Sequence, residues 1–244
     1  MKRDIEVAAR LYGDSHCAFI GDADSIIIPV DDLVEILQHL YRCFPRLRRV
    51  TSYARARTVL KKPLEDMRKL SEAGLSRLHI GLESGDDETL SAMVKGITAA
   101  QAVEAGLKVK EAGISLSEYV LLGLGGKDGY VKHAEQTAVV LNQIDPDFIR
   151  VRTLTVVPGT PLASKLDDGV FTPCSVLELL QEERRLIELL DGINSVFTSD
   201  HVSNLLPLHA KLPQDKQDML RAIDEAIRLI ETGGWEPHRV VSVL

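Results

Sequence analysis

Short runs in which apolar and polar residues alternate recur along the chain, and their starts lie about 30 to 40 residues apart, the length of a βαβ repeat. From Arg77 to Glu83, for example, every second residue is apolar. This alternation is typical of strands with one buried face. We predict strands near residues 17–21, 49–53, 78–83, 116–122 and 148–155.

Segments with apolar residues at helical spacing lie between these runs. They predict helices over residues 4–11, 31–40, 63–70, 87–94, 99–112 and 130–143. Two of them end in similar five-residue segments that contain glycine, Glu72 to Ser76 and Glu111 to Ser115. Glycine at this place is typical of the end of a helix. Strands that alternate with helices build a parallel sheet, so the sequence predicts an α/β fold.

The polar faces of the predicted strands favour a partial barrel over an open nucleotide-binding sheet. His79 and Glu83 alternate with apolar residues in the third strand, and Arg150 and Arg152 do so in the fifth. A closed barrel fills its interior with branched apolar side chains. The polar residues therefore predict a wide or incomplete parallel (β/α) barrel that holds a polar ligand.

The pattern changes after Pro161, where long amphipathic helices are predicted over residues 175–190 and 215–230. A loop-like segment between them carries His201, Asn204 and His209. We therefore predict two domains, a partial barrel over residues 1–167 and a helical extension over residues 168–244 that packs on it. Residues 233–244 are expected to form a tail.

Composition narrows the class of protein. The chain has a net charge of -7 and 45% hydrophobic residues, so we expect a globular protein without a nucleic-acid partner. No apolar run reaches the roughly 18 residues of a membrane span, and no signal core follows Met1, which predicts a cytoplasmic protein without a membrane partner. Its three cysteines are too far apart for a disulfide framework or a metal knuckle.

Polar and glycine-rich turns follow the predicted strands. In parallel α/β folds the ligand lies at the carboxyl ends of the strands, where these turns converge. Carboxylates there can accept hydrogen bonds from an ammonium or ribose hydroxyls, and glycines let a flat ring lie against the backbone. The candidate positions are Gly21, Asp22, Asp24, Ser52, Tyr53, Glu83, Ser84, Gly85, Gly123, Gly125, Gly126, Pro158 and Gly159.

Four strand-end motifs resemble those of the radical S-adenosylmethionine (SAM) superfamily, particularly iron-sulfur members related to oxygen-independent coproporphyrinogen oxidase and the methylthiotransferases. They are residues 19–24 (FIGDAD), 80–85 (IGLESG), 120–126 (VLLGLGG) and 155–162 (TVVPGTPL). The resemblance covers about residues 5–165 in the family's order and continues to about residue 230.

The resemblance implies a six-stranded partial barrel in which a [4Fe-4S] cluster binds SAM and reduces it to a 5′-deoxyadenosyl radical. Residues 21–24, with Gly21, Asp22 and Asp24, match the motif that receives the methionine ammonium. Ser52, Glu83 and Ser84 match carboxylate and ribose contacts. Gly123 and Gly125 match the turn near the adenine, and Thr155 to Pro158 matches a backbone contact to it.

The family's Cys-x3-Cys-x2-Cys loop is not present. Cys17, Cys43 and Cys174 cannot replace its three cluster ligands by spacing, and the ligands are expected upstream of Met1. We favour truncation at the first strand over a degenerate relative, and we expect the chain to be inactive alone. Truncation would leave Cys17 to Ile20 as a sheet edge, which predicts self-association.

Several other residues are candidates for substrate contact, although the substrate itself is unknown. Glu118 with the two strand-five arginines fits either a structural ion network or an anchor for a substrate carboxylate. His16 and His133 are predicted at the surface, and His79 is expected to face the lumen or to pack rather than to bind a metal. The candidate substrate residues are Tyr53, His79, Arg150, Arg152 and His201.

Two other functions are open. One is a non-catalytic partial barrel that binds a nucleoside-like ligand or a partner protein. The other is a phosphate-binding barrel enzyme that uses the turn from Gly123 to Gly126, which would need a clear acid or base nearby.

Overall fold

The computed structural model describes residues 1–233, which form seven strands and ten α-helices. The strands lie in one sheet in chain order, β1 to β7. Neighbouring strands are parallel in the pairs β1–β2, β2–β3 and β5–β6, and antiparallel in β6–β7. The strands are β1 Cys17–Ile20, β2 Arg49–Ala54, β3 Leu75–Glu83, β4 Ser115–Leu122, β5 Phe148–Thr153, β6 Val196–Thr198 and β7 His209–Lys211.

The helices alternate with the first five strands, as the βα spacing predicted. They are α1 Lys2–Tyr12, α2 Val30–Cys43, α3 Ala56–Lys61, α4 Leu64–Glu72, α5 Asp87–Ala92, α6 Ala99–Glu111, α7 Gly126–Ile144, α8 Pro161–Asp167, α9 Val176–Leu189 and α10 Lys216–Glu231. A 3-10 turn, Ser25–Ile27, follows β1.

Contacts divide the chain into two compact units. Among the described residues, unit 1 comprises residues 1–81 and 104–117, and unit 2 comprises residues 82–103 and 118–233. In unit 1, α2 buries Leu33, Leu37 and Leu40, which are spaced by four and three residues and therefore share one helix face. On β2, Val50 is fully buried. This apolar stripe explains why the sequence predicted α2 correctly.

Unit 2 is built around α7 and α9, which pack against each other. Leu141, Leu180 and Phe197 are fully buried there. The start of α9 is capped reciprocally, because the Ser175 hydroxyl accepts from the Glu178 N–H and the Glu178 carboxylate accepts from the Ser175 N–H.

The five predicted strands are confirmed within three residues at each end. The sequence did not predict β6 and β7, because three-residue strands are too short to show alternation. The region after residue 167, predicted as helical, therefore also contributes two strands to the sheet. The helices α3 and α8, of six and seven residues, were also missed.

The predicted tail, apart from Gly233, lies outside the described residues. Within residues 1–233, no helix is both long and apolar enough to cross a bilayer.

Candidate functional site

The turn after β1 belongs to unit 1 and contains three candidate residues. Gly21 and Asp22 are exposed, and Asp22 has a φ of 90°, in a region that L-residues rarely adopt. The carboxylate of Asp22 accepts only from the adjacent Ala23 N–H at 2.7 Å among the described residues. Asp22 therefore presents an acidic group to solvent on a strained backbone.

Asp24 has a different environment from Asp22. Its Oδ1 accepts from the backbone N–H of Arg55 at 3.1 Å, and its Oδ2 accepts from the Thr58 hydroxyl at 2.5 Å. These bonds tie the turn to the start of α3. Both carboxylate oxygens of Asp24 are thus already used in holding the fold of unit 1.

The end of β2 brings polar and aromatic residues together within unit 1. Ser52 is buried, and its hydroxyl lies 3.1 Å from the carbonyl oxygens of Ile20 and Tyr53. The Tyr53 ring lies 4.9 Å from Phe19 and 5.9 Å from His79, and Phe19 and His79 are also 5.9 Å apart. His79 is 8% exposed and packs in this aromatic cluster.

The turn after β3 belongs to unit 2. Glu83 ends the strand with a φ of 63°, and its carboxylate lies 3.4 Å from the Lys95 ammonium. Ser84 is fully buried, and its hydroxyl accepts from the backbone N–H of Asp86 at 3.0 Å. Asp86 then caps α5 by accepting from the N–H of Thr89. Hydrogen bonds therefore hold the backbone of the turn, and the Glu83 side chain is only partly buried.

Helix α7 holds this turn from the side. His133 Nε2 lies 3.2 Å from the carbonyl oxygen of Glu83, and the Thr137 hydroxyl accepts from the Gly85 N–H at 2.9 Å. His133 is fully buried, so the prediction of a surface histidine was wrong. The reason is that His133 and Thr137, four residues apart, lie on the same face of a helix that packs inward.

The turn after β4 is held by α9. The backbone N–H of Gly123 donates to Oε2 of Glu182 at 2.8 Å, and Oε1 of Glu182 lies 2.6 Å from His133 Nδ1. Gly123 has a φ of 80°, which favours glycine. A Cβ on Gly125, which precedes α7, would lie 2.9 Å from the backbone of Gly129, so its close approach to the start of α7 already requires that glycine.

Glu118 lies on β4 and is 2% exposed. Burial, and then the carboxylate of Glu83, raise its pKa to about 8. Within residues 1–233, Oε2 of Glu118 and Nε of Arg150 have no hydrogen-bond partner, and the Arg152 guanidinium lies 5.5 Å from the centre of the Tyr119 ring. These contacts do not decide whether Glu118 belongs to a structural ion network, which stays a prediction. The anchor for a substrate carboxylate also stays a prediction.

The remaining candidates lie in unit 2 beyond β5. Thr155 and Pro158 are exposed. His201 is also exposed and its Nδ1 contacts the Ser203 hydroxyl at 2.8 Å. The Asn204 amide donates to the Val151 carbonyl oxygen at 2.9 Å, so Asn204 anchors this segment to β5.

The cysteines do not suit an iron-sulfur cluster, which requires thiolate ligands that surround it. Cys17 is exposed and contacts Arg49, whereas Cys43 contacts His39. Burial, and then the charges of Glu182 and Glu178, raise the pKa of Cys174 to about 12, which keeps it a thiol. The described part of the chain contains no group of three or more His, Cys, Asp or Glu placed to hold a metal ion.

The sequence analysis missed Glu182 and misplaced His133, although a signal for both exists. Glu182 follows Leu179 by three residues and precedes Leu186 by four, so a charged residue occupies the apolar stripe of α9. In the same way, His133 falls on the stripe that continues at Thr137. A titratable residue on an apolar stripe predicts a buried, partnered polar group.

Comparison with known proteins links this arrangement to a family. Residues 1–137 match the family model described as the Radical SAM superfamily. The tRNA-2-methylthio-N(6)-dimethylallyladenosine synthase of Neisseria meningitidis serogroup A / serotype 4A is 32% identical over 195 residues, which are 78% of this chain and 40% of that protein. The chain thus spans about 40% of the length of the curated relatives it matches first.

Solved structures show the same fold. Archaeal Elp3 from Methanocaldococcus infernus superimposes with a TM-score of 0.62 at 12% identity, over 96% of this chain and 58% of that one. Coproporphyrinogen III oxidase (HemN) from Escherichia coli, described as a radical SAM enzyme, gives 0.53 at 13% identity, over 96% and 45%.

These likenesses confirm the partial (β/α) barrel. They support neither a phosphate-binding barrel enzyme nor a non-catalytic binding barrel. Since the family model covers more than half of its length, the chain belongs to the radical SAM superfamily.

Proposed function

We propose that this chain binds S-adenosylmethionine through its strand-end turns and forms the SAM-binding part of a radical SAM enzyme. In unit 2, Glu83 and Ser84 would contact the ribose, and Gly123, Gly125 and the segment from Thr155 to Pro158 would contact the adenine. In unit 1, the turn from Gly21 to Asp24 would receive the methionine ammonium, with Ser52 near the carboxylate. The assignment follows the family's motif order.

One observation supports the proposal most directly. Four residues other than glycine have positive φ within residues 1–233, and two of them, Asp22 and Glu83, are acidic residues at predicted SAM contacts. Strained backbone costs stability and is concentrated at functional positions in proteins. Both carboxylates are also accessible, since Asp22 is exposed and the Glu83 side chain is 25% exposed.

The proposal does not include the binding of an iron-sulfur cluster by this chain. The three cysteines lack the spacing for a cubane, and Cys174 stays protonated, so these residues do not fit a [4Fe-4S] cluster. A cluster would supply the electron that cleaves SAM. We propose that this chain alone binds SAM weakly and does not cleave it.

Calorimetric titration of the purified chain with SAM tests the proposal. Each hydrogen bond to a charged group contributes about 1.5 to 3 kcal/mol, so Asp22→Ala and Glu83→Ala should each weaken binding by about 10- to 100-fold. Asp14→Ala and Glu88→Ala are matched controls, because both residues are highly exposed surface acids.

The controls should bind SAM as the unchanged chain does. Equal affinity in all five proteins would show that the contacts are wrongly assigned. No heat of binding from the unchanged chain at millimolar SAM would contradict SAM binding itself.

A further inference from the structure

We propose that His133 and Thr137 of α7 and Glu182 of α9 are positioning residues that hold the turns after β3 and β4 in one geometry. We name these three residues the α7–α9 clamp. The proposal deepens the proposed function, because these two turns carry the assigned ribose and adenine contacts. All of the clamp and both turns lie within unit 2.

The clamp binds the turn after β3 at two backbone groups. His133 lies 3.2 Å from the Glu83 carbonyl oxygen, and Thr137 accepts from the Gly85 N–H at 2.9 Å. A carbonyl and an N–H two residues apart are thus held by side chains one helical turn apart. Because Glu83 has a φ of 63°, the strained residue lies at the first of these bonds.

The clamp reaches the turn after β4 through one carboxylate. Glu182 accepts from the Gly123 N–H at 2.8 Å with one oxygen and lies 2.6 Å from His133 with the other. His133 therefore connects the Glu83 carbonyl to the Gly123 N–H through Glu182. A displacement of either turn would break a hydrogen bond of a fully buried group, which is costly.

The donors and acceptors require a shared proton at the His133–Glu182 contact. The Glu83 carbonyl can only accept, so His133 Nε2 carries hydrogen and donates to it. The contact of His133 Nδ1 with Glu182 Oε1 then holds one proton, on the imidazole or on the carboxyl group. A glutamine at position 182 could donate to a neutral Nδ1 and still accept from the Gly123 N–H.

This geometry distinguishes positioning from packing. An apolar pair of similar volume would fill the same buried space without fixing any backbone group, and buried polar pairs are often no more stabilising than such a pair. The three side chains instead use their polar atoms on the Glu83, Gly85 and Gly123 backbone. Their expected effect is therefore on the geometry of the turns.

Hydrogen exchange and SAM titration of the full chain test the clamp. The variants are Glu182→Ala, which removes both bonds, Glu182→Gln, which can keep both, and Thr137→Val, which removes only the Gly85 bond. Glu188→Ala is the matched control, since Glu188 lies on the same helix with its side chain 41% exposed.

We expect the Gly123 amide to exchange at least about tenfold faster in Glu182→Ala, and the Gly85 amide to do so in Thr137→Val, while Glu182→Gln and Glu188→Ala stay within about threefold. SAM affinity should fall about tenfold in Glu182→Ala and in Thr137→Val, whereas Glu182→Gln should bind SAM as the unchanged chain does. Affinities are compared at temperatures where circular dichroism shows each protein folded.

Unchanged exchange at Gly123 and Gly85 in folded variants would overturn the clamp. Faster exchange throughout unit 2, with no recovery in Glu182→Gln, would also overturn it, because this is the pattern of a general packing role. If Glu182→Ala does not fold, Thr137→Val and Glu182→Gln decide the question. Should the unchanged chain bind no SAM, the proposed function fails, whereas the exchange data still decide whether the clamp holds the turns.

Discussion

The turns after β1 and β3 have similar sequences, a glycine and acidic residues directly after a strand, but they are held in different ways. In unit 1, Gly21 and Asp22 are exposed, and a Cβ on Gly21 would meet nothing within 4 Å. In unit 2, Gly85 is buried, and a Cβ there would lie 2.4 Å from the Gln136 carbonyl oxygen. Gly21 therefore faces open space, whereas Gly85 allows α7 to approach the turn.

The difference shows that glycine can follow a strand for more than one physical reason. Gly85 is required by the close approach of α7, whereas nothing in unit 1 contacts the place of a Gly21 side chain. The turn after β1 is held through Asp24 instead. The turn after β3 should therefore tolerate substitution far less than the turn after β1.

The largest expected effect is that of Gly85→Ala. The added methyl group would overlap the backbone of Gln136 and Thr137, which cannot move without shifting α7. We expect a loss of about 4 kcal/mol or more in the free energy of unfolding, at the far end of the range for single substitutions. Urea denaturation followed by circular dichroism measures it.

Gly21→Ala is the matched control, and its effect should stay within about 0.5 kcal/mol, as at an open surface position. Similar losses in both variants would remove the contrast between the two turns. A stable Gly85→Ala protein would mean that α7 does not approach the turn closely.

The second prediction concerns the buried carboxyl group of Glu118, also in unit 2. Its pKa is raised from 4.5 to about 8, so the folded state binds a proton that the unfolded state has lost in this window. The contribution of Glu118 to the free energy of unfolding is then fully present below about pH 4.5. It is lost as the pH rises to about 8, with a slope of up to about 1.4 kcal/mol per pH unit.

Glu118→Gln should flatten this slope when urea denaturation is repeated between pH 5 and 9. Part of the slope should persist, because burial raises the pKa of Glu183 to about 7. The control is Glu65→Gln on unit 1, a surface carboxylate whose side chain is 69% exposed. An unchanged slope in Glu118→Gln would mean that Glu118 is already ionised in the folded protein.

The sequence predicted the fold well where the physical signal is repeated along the chain. Alternation and helical spacing located β1 to β5 and the longer helices, because each strand and helix buries a regular face. The short β6 and β7 carry no such repeat, and their pairing depends on residues distant in the chain, such as Ile149 opposite Phe197.

The environment of the candidate residues could be predicted only in part. The position of Glu83 at the end of a strand follows from the local alternation of apolar and polar residues. The hydrogen-bond partners of Asp24 at the start of α3 do not follow from it, because α3 was not predicted. The buried contact between His133 and Glu182 joins residues 49 apart in the chain. A polar residue on an apolar stripe indicates burial, but its partner depends on how the helices pack.

The third prediction tests how the turn after β1 is held. Asp24→Ala should lower the free energy of unfolding by about 1 to 3 kcal/mol, because it leaves the Arg55 N–H and the Thr58 hydroxyl without their acceptor. Asp22→Ala should lower it by less than about 1 kcal/mol, since Asp22 is exposed and alanine tolerates its φ of 90° only somewhat less well than aspartate. Thermal and urea unfolding give both values.

A large loss in Asp22→Ala with none in Asp24→Ala would reverse the roles of the two carboxylates. Their effects on SAM affinity should follow the opposite order, because Asp24 is already engaged by α3 and Asp22 is accessible.

The smallest expected effect concerns the edge of the sheet in unit 1. β1 is the first strand in the sheet order, and its four residues, Cys17 to Ile20, carry no charge, so its free backbone groups can pair with another strand. We predict weak self-association of the chain, seen by light scattering as a mass that rises with concentration.

Phe19→Lys should reduce this association, because a charge on an edge strand opposes pairing with a second copy. Val7→Lys on α1 is the matched control, since Phe19 and Val7 are 47% and 49% exposed and the added charge is the same. If both variants reduce association equally, the effect is not specific to the edge strand. A clean monomer of the unchanged chain at high concentration, with slow hydrogen exchange at Ala18 to Ile20, would show that β1 is already covered.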